Sequence, residues 1–294
     1  MIELRVLRQF LVLAQELHFG RAAQRLHMTQ PPLTMAMQKL EAQLDLVLFE
    51  RQPRDLRLTA AGRALLEYGQ RVLQQAEQLP QQVQAAAQGR LGTLRLGFVS
   101  TVGYGSLPQW LRAYREQYPE VALQLQEATW DVQARAFERG ELDAGFALHA
   151  PGAAPAGLAR LPLGCEPMVL ACAQQGALGP RPQLQTVLRQ PLLIYPRQIA
   201  PSLYDSVLSY YRAHGATPVI AQEAIQMQTI VNLVSAGMGV AWVPRSVCAL
   251  QRPGVRYWHG AEDAPQCETS LVWAEPAAPV VEQFVRLVQE PLRA

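Results

Sequence analysis

At 294 residues the chain is long enough for two domains or more, and 49% hydrophobic with 17% charged residues is the composition of an ordinary globular protein, not a disordered or fibrous one. No apolar run approaches the ~18 residues of a membrane span, and Glu3, Arg5 and Arg8 interrupt the N-terminus where a secretion signal needs a clean apolar stretch; a cytoplasmic protein without a membrane partner is expected. The net charge of +2 divides into +3 for residues 1–90 (11 basic, 8 acidic) and −1 for residues 91–294 (15 basic, 16 acidic), so a modest basic excess sits at the N-terminal end.

Residues 3–17 repeat Leu4, Leu7, Leu11, Ala14 and Leu17 at helical spacing. Gly20 is read as punctuation before a short helix over about 21–26. His27-Met28-Thr29-Gln30 then makes a turn, and a further helix runs from Pro31 to about Leu44, with proline tolerated in its first turn. Two short helices across a tight break are the plan of a helix-turn-helix, whose second helix enters the major groove of double-stranded DNA. Leu33, Met37, Leu40 and Leu44 fall on the core side of that helix, leaving Thr34, Met35, Gln38 and Lys39 to face outward. Residues 46–58 read as a β-hairpin wing around Pro53, with Arg51, Arg54 and Arg57 along it as phosphate contacts or as a solvated face.

Thr59 is placed to cap a long helix. Within it Val72, Ala76, Leu79, Val83 and Ala86 follow spacings of four and three, a narrow seam for a second copy of the chain. Pro80 has no N–H to donate to Ala76, and a kink or break is expected near 79–80. A hinge follows at Gln88-Gly89-Arg90-Leu91-Gly92.

The remainder alternates strands and helices. Strands are expected over 94–99, 121–127, 144–148, 168–173, 192–195, 219–223, 240–243 and 271–273. Helices are expected over 108–118, 132–139, 203–214 and 227–236, and the Pro-, Gly- and Ala-rich stretch 149–162 reads as a loop. In an open α/β sheet, ligands bind beyond the carboxyl ends of the strands. Four junctions there carry small polar residues at helix starts: Ser100-Thr101, Ala128-Thr129, Ala200-Pro201-Ser202 and the segment holding Gln226. Such residues serve either as helix caps or as donors to a carboxylate or phosphate.

No nucleophile–base motif, GxSxG elbow or phosphate loop is present, so catalysis is not expected. Cys165, Cys172, Cys248 and Cys267 make no CxxC or Cys/His cluster, and the five histidines are scattered. Neither a metal nor a cofactor is expected.

Five motifs together carry a resemblance that spans essentially the whole chain. They are Ala22-Ala23-Gln24-Arg25-Leu26, Gln30-Pro31-Pro32-Leu33-Thr34, Leu40-Glu41, Leu48-Phe49-Glu50-Arg51 and Leu58-Thr59-Ala60-Ala61-Gly62. On them the chain resembles a LysR-type transcriptional regulator. The resemblance implies an α+β then α/β architecture: a winged helix-turn-helix (1–58), a linker and dimerisation helix (59–89), and an effector-binding domain (90–294) like type 2 periplasmic binding proteins. Lobe 1 would hold about 91–162 and 268–294, and lobe 2 about 163–267, the chain crossing near Leu161–Cys165 and Cys267–Leu271.

The effector half is similar to regulators of aromatic-compound degradation at Leu96-Gly97-Phe98-Val99-Ser100, Asp143-Ala144-Gly145-Phe146, Ala200-Pro201-Ser202-Leu203-Tyr204-Asp205, Gln226-Met227-Gln228-Thr229-Ile230 and Gly237-Met238-Gly239-Val240. Carried over by position, Ser100, Thr101, Thr129, Phe146, Pro201, Ser202 and Gln226 become candidates to bind a small carboxylate effector, aromatic or muconate-like. Gln30, Pro31, Pro32, Thr34, Met35, Gln38, Lys39, Arg51 and Arg54 become candidates to bind DNA. Where relatives often carry a basic or amide residue after Thr34, this chain has Met35 and Ala36, which offer only apolar contact to a base. The expectation is a homodimeric or tetrameric, ligand-responsive regulator of a nearby operon; the alternative is a two-lobed solute-binding protein without gene regulation.

Overall fold

The computed structural model describes residues 1–52, 55–176, 178–261 and 263–290, in two compact units, 1–84 and 85–294. Unit 1 opens with α1 (Leu4–Glu16), whose Leu7, Phe10, Leu11, Leu13 and Ala14 are buried. The break that follows is made by Leu17 in the left-handed region (φ 46) and by His18, whose ring accepts from the Arg21 N–H at 3.2 Å. Contrary to the expectation that Gly20 punctuates before a helix over about 21–26, it lies inside α2 (Phe19–Arg25), where a Cβ would meet the His18 ring at 3.0 Å. His27 (φ 52) turns the chain into α3 (Gln30–Leu44), which starts one residue earlier than expected with its prolines in the first turn. Leu33, Met37 and Leu40 of α3 are buried against α1 in one apolar core.

β1 (Phe49–Gln52) and β2 (Asp55–Leu58) pair antiparallel, Phe49 opposite Leu58. The hairpin is shorter than the expected 46–58, since Leu46 and Val47 precede it and are exposed. Arg51 sits in β1 opposite Leu56, and Arg54 lies outside the described residues. Glu41 anchors the wing: its Oε1 accepts from the N–H groups of Leu48 (2.7 Å) and Phe49 (3.2 Å). Removing a part-buried carboxylate strands two donors, so Glu41→Ala is expected to cost about 2–3 kcal/mol, read as a lower unfolding midpoint. Glu41→Gln keeps an acceptor oxygen and should recover part of that loss; alanine and glutamine variants of equal stability would show that water replaces the carboxylate.

α4 (Ala60–Ala87) is capped as expected, Thr59 Oγ1 accepting from the Gly62 N–H at 2.9 Å. Gly62 must be glycine because a Cβ would meet the Leu48 carbonyl oxygen at 2.3 Å. The break expected at Pro80 does not occur: α4 runs through it. Pro80 and its neighbours are exposed, so water can reach the carbonyl left without a donor. Val72, Leu79 and Val83 of the seam are exposed as well. The helix ends at Gly89 (φ 67), whose N–H bonds to the Ala86 carbonyl while the Arg90 N–H reaches that of Ala85.

Unit 2 is two lobes on one continuous sheet. β3 (Gly92–Phe98), a four-residue turn of helix α5 (Ser100–Gly103), α6 (Leu107–Gln117), β4 (Val121–Glu127), α7 (Trp130–Glu138) and β5 (Ala144–His149) form the first lobe in chain order. β3 lies parallel between β4 and β5. Residues 159–162, expected in a loop, instead open β6 (Ala159–Ala173), a 15-residue strand.

The second lobe follows with α8 (Leu184–Leu188), β7 (Leu192–Ile194), α9 (Pro201–Ala213), β8 (Ile220–Glu223), α10 (Met227–Ser235), β9 (Ala241–Pro244), a 3₁₀ turn (Arg245–Leu250) and β10 (Val255–Trp258). β11 (Gln266–Trp273) then returns antiparallel along β6, Trp273 opposite Ala159 and Gln266 opposite Pro167. The first half of β6 thus belongs to the order β6-β11-β5-β3-β4, while its second half pairs with β9 and β10. α11 (Pro279–Gln289) closes the first lobe, and it, α8, the 3₁₀ turn and β10 have no counterpart in the sequence reading. Tyr114, Phe146 and Phe284 fill one lobe's core; Leu170, Val187, Tyr211 and Val243 fill the other's.

Candidate functional site

Two surfaces are of functional interest, one in each unit. On α3 the burial of Leu33, Met37 and Leu40 turns Gln30, Pro31, Pro32, Met35, Gln38 and Lys39 into solvent as one exposed face. Thr34 is half-buried and donates to the Gln30 carbonyl at 3.2 Å, leaving its oxygen lone pairs outward-facing chemistry as acceptors only. Met35, 69% exposed, is a large apolar side chain at the centre of this polar face. The wing extends the same unit with Arg57, which pairs with Asp55 at 2.7 Å.

In unit 2 a cavity opens between the lobes, holding about 630 Å³ of empty space, part of it open to solvent. Its floor is made by the carboxyl ends of parallel β3 and β4, which deliver Val99, Ser100 and Thr101 on one side and Glu127, Ala128 and Thr129 on the other. The second lobe contributes Tyr195, Leu203 and the start of α10, Gln226 and Met227. Ser100 and Gln226 meet across the cavity, the Ser100 hydroxyl donating to Gln226 Oε1 at 3.0 Å. Gln226 is also the N-terminal cap position of α10, and its side chain makes no capping bond there.

Of the seven residues expected to hold an effector, Ser100, Thr101, Thr129 and Gln226 line this cavity and Phe146, Pro201 and Ser202 do not. Phe146 is fully buried, stacked on Trp110 with ring centroids 5.9 Å apart. It sits two residues below the end of its strand face, about 6.6 Å too deep; Leu148, on the same face, is the lining residue. Ser202 accepts from the Ala150 N–H at 3.1 Å, a link from one lobe to the other, and Pro201 is an exposed first residue of α9. The Thr129 hydroxyl donates to Asp131 Oδ1 at 2.6 Å, and Asp131 is paired with Arg135 at 3.0 Å. That pairing and the Thr129 bond hold the Asp131 carboxyl below its ordinary value against the opposing effect of burial.

The sequence reading overlooked Glu127, Trp130, Met168, Tyr195 and Ile225 as lining residues. For Glu127 and Trp130 a signal existed, since both flank the Ala128-Thr129 junction. Tyr195 is buried, its hydroxyl has no hydrogen-bond partner among the described residues, and burial pushes its pKa well above the ordinary range. Burial likewise raises the thiols of Cys165 and Cys248. Among the described residues no group of three His, Cys, Asp or Glu side chains is arranged for a metal ion, and no helix is long and apolar enough to cross a membrane.

A winged helix-turn-helix and a two-lobed receptor with an interlobe cavity, on one chain, define a ligand-responsive DNA-binding regulator. Residues 4–63 match the bacterial regulatory helix-turn-helix protein family of lysR type, and residues 87–293 match the LysR substrate binding domain. The chain belongs to the LysR family of transcriptional regulators. It is 44% identical to the HTH-type transcriptional regulator IlvR of Caulobacter vibrioides, covering 98% of each chain, and 35% identical to AlsR of Bacillus subtilis over 87% of this chain and 85% of that one. Among solved structures it is similar to full-length CbnR in complex with its target DNA, with a TM-score of 0.79 at 30% identity, covering 98% of this chain and 99% of that one. These relatives are regulators, and the chain is a regulator, not an enzyme.

Proposed function

We propose that the protein controls a nearby operon in response to a small organic acid bound between its lobes. The observation that carries this reading is the Ser100–Gln226 hydrogen bond, which joins the two lobes across an otherwise largely apolar cavity. A carboxylate entering there would exchange one hydroxyl–amide bond for donors from both lobes: the Ser100 and Thr101 hydroxyls from one, the Gln226 amide and the uncapped first turn of α10 from the other. Ligand binding therefore favours one interlobe closure over others, the differential contact a switch requires.

The resemblance to regulators of aromatic degradation suggests an aromatic or muconate-like acid. The walls, formed by Val99, Trp130, Leu148, Met168 and Leu203, suit an aromatic body; among the described residues no Lys, Arg or His lines the cavity to neutralise a second carboxylate.

On the DNA side, Gln30, Thr34, Gln38 and Lys39 supply polar contacts, Pro31 and Pro32 shape the helix start, Met35 meets a thymine methyl, and Arg51 and Arg54 hold the wing on phosphates. CbnR, solved with its target DNA, has the same fold, which supports this placement. Residues 1–58, 59–89 and 90–294 act as reader, dimerising linker and receptor. Self-association into a dimer or tetramer is supported by the exposed seam of α4 and by two exposed sheet edges in the receptor, β4 with Leu125 and the fully exposed β8.

The test is a footprint on DNA upstream of the protein's own gene, with and without a panel of aromatic and dicarboxylic acids. One acid should shorten or shift the protected region, and Ser100→Ala should lose that response, with affinity for the acid down about tenfold, while protection in its absence persists. Protection that ignores every acid would sink the acid assignment.

A further inference from the structure

The cavity that receives the acid also carries a negative charge with no counter-ion. Glu127, the last residue of β4, lines it beside the Ser100 side: β3 and β4 are parallel, Glu127 is opposite Phe98, and Ala128 donates to the Phe98 carbonyl at 2.9 Å. Among the described residues the Glu127 side chain has no ion pair and no hydrogen bond, whereas Asp131, four residues on, is held by Thr129 and Arg135. Glu127 is solvent-exposed at this edge. Its field is felt locally: it helps burial to raise the Tyr104 hydroxyl above its ordinary value. Every other lining residue among the described ones is neutral.

A plain carboxylate held at Ser100 and Gln226 would sit in the same cavity as this unneutralised carboxylate, a repulsion that a site selecting simple acids does not need. A ligand bearing an ammonium group close to its own carboxylate turns that repulsion into attraction. We infer that the effector is an apolar or aromatic amino acid, a zwitterion whose carboxylate is taken by Ser100 and Gln226, whose ammonium is taken by Glu127, and whose side chain lies against Trp130, Leu148, Met168 and Leu203. This rests on the acid reading above and narrows it. Glu127 is then the residue that selects amino acids over the matching acids lacking nitrogen.

The experiment is calorimetric titration of the full-length protein with two triads: L-phenylalanine, 3-phenylpropanoate and 2-phenylethylamine; and L-leucine, 4-methylpentanoate and 3-methylbutylamine. Within at least one triad the amino acid should bind at least about fivefold more tightly than the acid, the worth of one partly exposed ion pair. It should also bind more tightly than the amine. In Glu127→Gln the preference over the acid should vanish, chiefly through tighter binding of the acid. Circular dichroism of that variant should match the unaltered protein, since Glu127 holds no internal bond. An acid that binds the unaltered protein as well as its amino acid overturns the zwitterion and leaves the organic-acid reading standing. An amine that binds as well as the amino acid overturns both, whereas the failure of all six compounds to bind overturns the amino-acid reading and leaves the organic-acid reading to the footprint with its acid panel. A preference for the amino acid that survives in Glu127→Gln overturns the role of Glu127.

Discussion

Phe284→Ala is expected to destabilise the receptor unit by about 3–5 kcal/mol, the range for deleting a fully buried aromatic ring. Phe284 has no exposed surface; Tyr114 meets it edge-on at 5.2 Å and Phe146 at 6.3 Å. The ring is the largest of the side chains that α11 sends, with Val280, Val281, Leu287 and Val288, into a core shared with β3, β4, β5, β11, α5 and α6. The Tyr114 hydroxyl also donates to the Val280 carbonyl at 3.0 Å, so a helix loosened at Phe284 drags a second tie with it. All five tryptophans lie at or beyond residue 110, in unit 2, so denaturant unfolding followed by tryptophan fluorescence reads this unit alone. Far-ultraviolet dichroism reports the DNA-binding unit as well. The fluorescence midpoint should fall sharply while a separate, unshifted dichroism transition remains for residues 1–84. A loss below about 1 kcal/mol would mean that the cavity left by the ring collapses almost completely.

The second large effect is expected at Gly89, where the linker helix ends. Alanine there meets two obstacles. The backbone is left-handed (φ 67), which costs a residue with a Cβ about 1–2 kcal/mol. The Cβ would also lie 2.3 Å from the Pro279 carbonyl oxygen and 2.9 Å from the Val280 N, both backbone atoms that cannot swing aside. Gly140 provides the control: its φ is 65, and a Cβ there would meet nothing within 4 Å. Gly140→Ala should therefore show the conformational cost alone. Gly89→Ala should lose about 2 kcal/mol more, in the same fluorescence assay, because α11 must shift and the Gln283 amide must release the Gln88 carbonyl it now holds at 2.7 Å. Equal losses at the two glycines would show that the start of α11 yields freely and that the close approach is without energetic weight.

Those two positions show where the sequence was readable and where it was not. Gly89 was legible as the end of a helix because Gln88-Gly89-Arg90 interrupts a long polar repeat. Its contact with Pro279, 190 residues away, was not, because nothing local in either segment encodes the other. Phe284 lies in a run, Val280, Val281, Phe284, Leu287, Val288, with plain helical spacing that the reading passed over. The strand extension of β6 over 159–167 was missed for a different reason. Residues 159–162 read as the end of a Pro-, Gly- and Ala-rich loop, yet the segment is held by antiparallel pairing with β11, which itself begins 93 residues after β6 ends. Proline tolerance there reflects which N–H groups the pairing needs.

By itself the sequence determined the elements whose signals are local. These are the helix-turn-helix from its apolar period and turn, the cap at Thr59, the exposed seam of α4, and the alternation of strands and helices after residue 92. Local dihedral preference and burial period are properties of short segments, and short segments carry them whole. The helix through Pro80 was decided by solvent access, since its neighbours are exposed, while Gly20 lies inside α2 because His18, two residues earlier, caps that helix locally. Membership of the interlobe cavity was decided by tertiary structure. Ser100, Thr101, Thr129 and Gln226 met there while Phe146, Pro201 and Ser202 did not, and Glu127 joined unannounced. Whether a residue near a strand end faces a cleft depends on how deep along its strand it lies and on which lobe returns opposite it. Both are set by the pairing of distant strands, which no single stretch of sequence contains.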